Sequence, residues 1–175
     1  MSLIVETGAI VAGAESYISV ADTSAYHLAR GNSAWAPLTT AQMEEALRRA
    51  TDYMVQVYRH RWKGVRKSAS QVLDWPRAYV YLEPVITGAN QEFPNLVSDT
   101  IVPTEVKNAC AQLALRAAAG DLFIDQTQSA VRKKVGPIEI EYSRFSPQGT
   151  QYMAIDAMLQ PYMALYPGTV KVQRS

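Results

Sequence analysis

The chain has 175 residues, with 17 Lys and Arg against 16 Asp and Glu, a formal charge of +1, and 48% hydrophobic residues. That length suits one domain. So much apolar surface with so little net charge excludes a wholly disordered chain and a nucleic-acid binder acting through bulk positive charge, so an electrostatic partner has to be met by a local patch. The one cysteine, Cys110, excludes an intramolecular disulfide framework and a cysteine-built zinc site; two histidines, His27 and His60, exclude a His-rich metal site. Residues 1–6 lack the basic start and apolar run of a secretory signal. No stretch approaches the ~18 uninterrupted apolar residues of a bilayer span. A soluble protein of a reducing compartment, with no membrane partner and no cofactor, is expected.

Residues 1–18 show no helical period; Leu3-Ile4-Val5 reads as a short strand and Gly8 to Gly13 as a loop. Ser19 with Asp22 three residues on predicts the start of a first helix through Tyr26 and Leu28, stopped by Gly31-Asn32. The second helix has the strongest signals. Thr39 and Gln42 form a capping box, Leu38 and Met43 a hydrophobic staple, and Met43, Ala46, Leu47, Ala50, Tyr53, Met54 and Val57 mark one face. Glu44 with Arg48, and Glu45 with Arg49, stand at the favourable i,i+4 spacing on the other face.

Residues 59–102 show no comparable period, carry Pro76, Pro84 and Pro94, and are aromatic enough (Trp62, Trp75, Tyr79, Tyr81, Phe93) to be a long ordered loop. A third helix is predicted from Pro103, with Val106, Cys110, Leu113 and Ala117 as its apolar stripe and Gly120 at its end. The period then changes: Val131 to Val135 and Ile138 to Tyr142, around Gly136-Pro137, predict a β-hairpin. A last helix spans about residues 152–164, kinked or ended by Pro161. The expected fold is mainly α (α+β): a small bundle of three to four helices with one β-hairpin and a long ordered loop. It forms one domain over residues 1–165, followed by an extended tail, 166–175.

Catalytic chemistry finds little to work with. The sequence has no Gly-x-Ser-x-Gly turn, His-Glu-x-x-His pair or Gly-rich phosphate loop. Glu139 and Glu141 read as a solvated strand face, and Cys110 as a core thiol. The expectation is a protein that is not an enzyme, with no catalytic, cofactor or metal site.

The charge, neutral overall, is uneven along the chain. Residues 1–58 are net −3, residues 59–77 net +5 and residues 78–175 net −1. Arg59, Arg61, Lys63, Arg66 and Lys67 fall within nine residues that contain no acid. Interleaved with Tyr58, Trp62 and Trp75, these cations suit single-stranded nucleic acid, held by phosphate contacts and base stacking. The same pattern fits a solvated loop whose tryptophans pack inward, or a basic contact to an acidic neighbouring subunit. Arg132-Lys133-Lys134 reads as a charge run protecting a hairpin edge.

Several segments, in order, resemble a tailed-phage family of DnaT-like single-stranded-DNA-binding proteins. They are Leu3-Ile4-Val5-Glu6, Ser16-Tyr17-Ile18-Ser19, Ala25-Tyr26, Arg30-Gly31-Asn32, Ala34-Trp35 and Arg49-Ala50-Thr51-Asp52-Tyr53. They continue with Gln71-Val72-Leu73-Asp74-Trp75-Pro76-Arg77, Val102-Pro103-Thr104-Glu105-Val106-Lys107, and Val135 to Tyr142. The helical layout also resembles the head–tail connector (adaptor, head-completion) proteins of tailed phages. That resemblance implies a virion protein at the head–tail junction, a homo-oligomeric ring of about twelve copies between portal and tail or neck proteins, with packaged DNA as a candidate further contact. It implies that Arg59, Arg61, Trp62, Lys63, Arg66 and Lys67 face the DNA channel or a neighbouring subunit. Trp75, Pro76 and Arg77 would fix the loop, and Tyr162, Leu165, Tyr166 and Val170 would form a portal-docking arm. Single-stranded-DNA binding in replication is the alternative.

Overall fold

The computed structural model describes residues 2–86, 92–123, 132–135, 138–141 and 152–164. Among these described residues four α-helices carry the core: α1 (Val20–Leu28), α2 (Thr40–Tyr58), α3 (Thr104–Ala119) and α4 (Met153–Leu159), the last continuing into a 3-10 turn, Gln160–Tyr162. Six short strands, again among the described residues, accompany them: β1 (Val65–Arg66), β2 (Arg77–Ala78), β3 (Tyr81–Ile86), β4 (Glu92–Leu96), β5 (Arg132–Val135) and β6 (Ile138–Glu141). They pair antiparallel as β1 with β2, β3 with β4 and β5 with β6. The mainly helical α+β class is as the sequence predicts.

Helix α2 starts at the expected capping box: Thr39 accepts from the Gln42 amide, and the Gln42 side chain accepts from the Thr39 amide at 2.9 Å. Its apolar face, including Met43, Leu47, Ala50 and Met54, is buried, and the helix packs chiefly on α3 and also on α1. The facing surface of α3 is built from Ala109, Cys110, Leu113, Ala114 and Ala117, small enough for close approach of the two helices. Burying Leu47, Met54 and Leu113 contributes roughly 1.5–3 kcal/mol each. Helix α3 begins one residue later than predicted, with Pro103 at the N-cap and not in the first turn.

The N-terminal segment is fastened by Glu6. This buried carboxylate accepts from the amides of Gly8 (2.8 Å), Ile10 (3.1 Å) and Val11 (2.9 Å), and Val5 bridges to Ser16 beside it. Three amides that a tight loop would leave unpaired are thus satisfied by one side chain.

The stretch 59–102, predicted as a long loop, contains two of the three strand pairs, in addition to the single hairpin read from the sequence. The reasons are local. β1 and β2 have two residues each, too few to display a period. β3 and β4 contain Pro84 and Pro94, which argue against strands because proline has no N–H for the ladder. The register accommodates them with an irregularity: Leu82 pairs with Asn95 and Val85 with Phe93, so Glu83 and Pro84 lie opposite Pro94 alone. The tail 166–175 and the Gly136-Pro137 turn lie outside the described residues.

Candidate functional site

Where α2 ends at Tyr58 the chain turns back, and the basic segment begins. Trp62 and Trp75 are buried and pack edge-on, with ring centroids 5.6 Å apart; Trp62 rests on Tyr58 at 5.9 Å and Trp75 on Tyr162 at 5.7 Å. The C-terminal part of the described chain closes this cluster. The Lys63 amide donates to the Tyr162 carbonyl at 2.9 Å, and the Ala164 amide to the Arg61 carbonyl at 2.7 Å, so residues 162–164 run beside 61–63.

Two expectations need correction here. Trp62, grouped with the basic loop as a residue for DNA or a neighbour, offers no face to either, because it is part of the core. Tyr162, predicted on an exposed docking arm, is likewise buried, and its hydroxyl donates to Glu105 at 2.6 Å. A tyrosine adjoining an apolar tail reads as an anchor from sequence, but its ring has a packing partner in Trp75. Leu165, Tyr166 and Val170 lie outside the described residues.

The Trp75–Pro76 peptide is cis. The indole of Trp75 fills the core, and the nearly buried Arg77 guanidinium donates to the carbonyls of Lys63 (2.8 Å), Gly64 (2.8 Å) and Asp74 (3.3 Å). Burial pulls the pKa of Arg77 below the ordinary guanidinium value, against the opposing effect of Asp74. Gly64 is required beside it. Its φ is +64°, and a Cβ there would lie 2.2 Å from the Ala78 carbonyl oxygen. This close approach sets Val65 opposite Ala78 and Arg66 opposite Arg77.

The five-cation run is divided by the fold. Arg59 pairs with the buried Asp74 at 3.0 Å, Arg61 with Asp156 at 3.5 Å and Lys67 with Asp99 at 3.4 Å. Lys63 and Arg66 have no carboxylate partner among the described residues. The Lys63 ammonium donates to the carbonyls of Tyr81 (3.1 Å) and Pro161 (2.8 Å), and Arg66 donates to the Gln71 carbonyl at 3.2 Å. Next to them stand two aromatic residues that sequence reasoning did not single out. Tyr79 is 69% exposed and Tyr81 50% exposed, on either side of the fully buried Val80. The alternation Tyr79-Val80-Tyr81 is the only local pattern in the sequence at this point, and the chain bends at Tyr79 between β2 and β3 instead of continuing as a strand. Tyr79 has φ +60°, an uncommon conformation for a bulky side chain. The outcome is a partly basic edge with two exposed phenol rings, built on a buried tryptophan pair.

Two other chemistry-bearing side chains, His27 and Cys110, are engaged in packing. The His27 ring is buried: its Nε2–H donates to the Ala111 carbonyl at 3.0 Å, and Nδ1 accepts from the Asn32 amide at 3.0 Å. Burial lowers the His27 pKa and raises that of the Cys110 thiol, which contacts Thr51 Oγ1 at 3.4 Å. His27 also borders an apolar cleft of about 490 Å³ with Leu28, Trp35 and Met43.

Compared with known proteins, residues 1–175 match the model of a family described as "Putative DnaT-like ssDNA binding protein". No curated protein and no solved structure matches the chain.

Proposed function

The chain belongs to the DnaT-like ssDNA-binding protein family, and from that premise we propose that it binds single-stranded DNA along the edge formed by Lys63, Arg66, Tyr79 and Tyr81, with Lys67 at its border. The observation that carries this assignment is the pairing of exposed phenol rings with two cations that no carboxylate among the described residues neutralises. Phosphates approach Lys63 and Arg66, and bases stack on Tyr79 and Tyr81. This combination binds single strands with little sequence preference, because every base has a π-face. The stacking role first read onto Trp62 and Trp75 passes to the tyrosines.

The test is fluorescence anisotropy with a labelled oligothymidine of about thirty nucleotides at several salt concentrations. Wild-type protein binds, and binding weakens as salt rises. Tyr79→Ala with Tyr81→Ala lowers affinity about tenfold or more, since stacking contributes roughly 1–3 kcal/mol per base. Lys63→Glu with Arg66→Glu lowers it further. Absence of binding at low salt, or binding indifferent to both double variants, overturns the assignment.

A second reading is a subunit of the head–tail adaptor ring of a tailed phage, in contact with its own copies, the portal and tail or neck proteins. It is favoured by large apolar side chains that a solitary subunit leaves in water, chiefly Leu28, Phe123 and Met153. Under this reading the protein is found in purified virions and forms rings on the portal. Recovery from replication complexes alone excludes it.

A further inference from the structure

The register of β3 and β4 places Tyr81 directly opposite Leu96. The neighbouring pair is Val80 with Val97, and the Val97 amide donates to the Val80 carbonyl at 3.0 Å. Hydrogen-bonded pairs alternate with non-hydrogen-bonded ones in an antiparallel ladder. Tyr81 and Leu96 are therefore of the second kind, with Cα atoms about 4.5 Å apart and side chains at their closest approach. Both point away from the core. Val80 is fully buried and Leu82 and Val97 pack on the core, whereas Tyr81 is 50% and Leu96 52% exposed. The phenol ring and the isobutyl group thus form one apolar step facing water. A cation stands beside it, because the Lys63 ammonium donates to the Tyr81 carbonyl at 3.1 Å.

We propose that Tyr81 and Leu96 form a base subsite that selects thymine. The subsite rests on the single-stranded-DNA reading above and adds to it a preference that stacking alone does not supply. A base lying flat on the Tyr81 ring, with its phosphate at Lys63, projects its edge over Leu96. The ring does not choose among bases, since each has a π-face. The leucine does choose. It offers no hydrogen bond to a base edge, and the apolar contact it does offer is answered by the 5-methyl group that thymine alone carries. Cytosine and adenine bring an amino donor to that edge instead, which gives up water for a neighbour that cannot accept from it. Uracil differs from thymine only in lacking the methyl, so it isolates the contact. Covering one group of that size is worth about a fourfold change in affinity.

The test is fluorescence anisotropy of the full chain at low salt with DNA oligomers of equal length: oligothymidine, oligodeoxyuridine, oligodeoxycytidine and oligo-5-methyldeoxycytidine. Wild type binds oligothymidine about fourfold more tightly than oligodeoxyuridine, and the methylated cytidine oligomer more tightly than the plain one by a similar factor. Leu96→Ala and the polar Leu96→Gln each cut both ratios to less than about twofold, while Leu96→Met keeps most of the preference. Leu28→Ala, which removes an exposed leucine of α1, leaves the ratios as they are. Urea midpoints show that each variant folds, and a ratio of two affinities is insensitive to a uniform loss of active protein. Salt-dependent binding that is equal for thymidine and deoxyuridine oligomers overturns the subsite and leaves the proposed DNA-binding edge standing. A thymine preference that neither Leu96→Ala nor Leu96→Gln reduces also overturns it, since the methyl then meets another residue. Absence of binding to every oligomer overturns the edge and the subsite together.

Discussion

Arg77→Met gives the most direct test of how the basic edge is held. Methionine keeps the length and apolar stem of arginine but removes every donor, so the carbonyls of Lys63, Gly64 and Asp74 lose the partner they have at 2.8, 2.8 and 3.3 Å. A buried acceptor left without a partner costs about 1–3 kcal/mol. Two of the three bonds are only partly buried and the third, to Asp74, is long at 3.3 Å, so the lower value applies, and the sum is about 3 kcal/mol. Methionine also spares the desolvation of a guanidinium, which offsets a fraction and leaves roughly 2–3 kcal/mol of destabilisation. For a chain of this length that lowers the melting temperature by about 5–10 °C. Arg77→Lys keeps the charge but not the planar fork that reaches three acceptors, and loses about 1–2 kcal/mol. Urea unfolding followed by tryptophan fluorescence measures both, with an unchanged denaturant slope confirming that the same transition is observed. If Arg77→Met is as stable as wild type, the guanidinium does not hold the loop, and the role given to the Trp75-Pro76-Arg77 segment is wrong.

Three further outcomes follow from buried polar groups. Glu6→Gln leaves one acceptor where the carboxylate has two, so a donor faces the Val11 amide; about 2 kcal/mol of stability is lost, and Val11 exchanges its amide hydrogen faster. His27 has a folded pKa below its ordinary value of 6.5, through desolvation first and then through Arg30. The unfolded chain therefore takes up a proton where the folded one does not, and stability falls as pH drops below about 6.5. Urea midpoints between pH 7 and 5 show this slope, and His27→Gln flattens it. Finally, the Cys110 thiol is fully buried with its pKa raised by that burial, so a thiol reagent at mildly alkaline pH modifies it only in denaturant. Rapid labelling of native protein contradicts this placement.

Elements defined by local chemistry were legible from the sequence. The Thr39 and Gln42 capping box, the apolar face of α2, the small-residue face of α3 and the β5–β6 hairpin all depend on neighbours within a few residues. Elements defined by distant partners were not. The acids that meet Arg61 and Lys67 are Asp156 and Asp99, 95 and 32 positions along the chain, and nothing in the basic run announces them. Trp62 and Trp75 look from sequence like a stacking surface because aromatic residues beside cations serve equally for base contact and for core. Only the strand-like return of residues 162–164 decides between them. Glu6, an isolated acid in an unpatterned segment, gave no sign that three amides would converge on it.

The division of the cations also limits how the proposed DNA-binding edge can respond to salt. Counterions are released only by cations that neutralise a phosphate, with a slope of about −0.7 per contact on single strands. If all five cations of residues 59–67 met phosphates, log K against log salt would fall with a slope of about −3.5. Arg59, Arg61 and Lys67 already face carboxylates, and exchanging a carboxylate for a phosphate offers them less than a new contact would. Lys63 and Arg66 are left, and the expected slope is about −1.4. Asp99→Asn releases Lys67 and steepens the slope by about 0.7, whereas the same change at an acid remote from the edge, Asp22→Asn, leaves it unaltered. A wild-type slope near −3.5 would mean that the ion pairs open on binding and that the edge is wider than Lys63 and Arg66. A slope near zero would remove phosphate contact from the mechanism altogether.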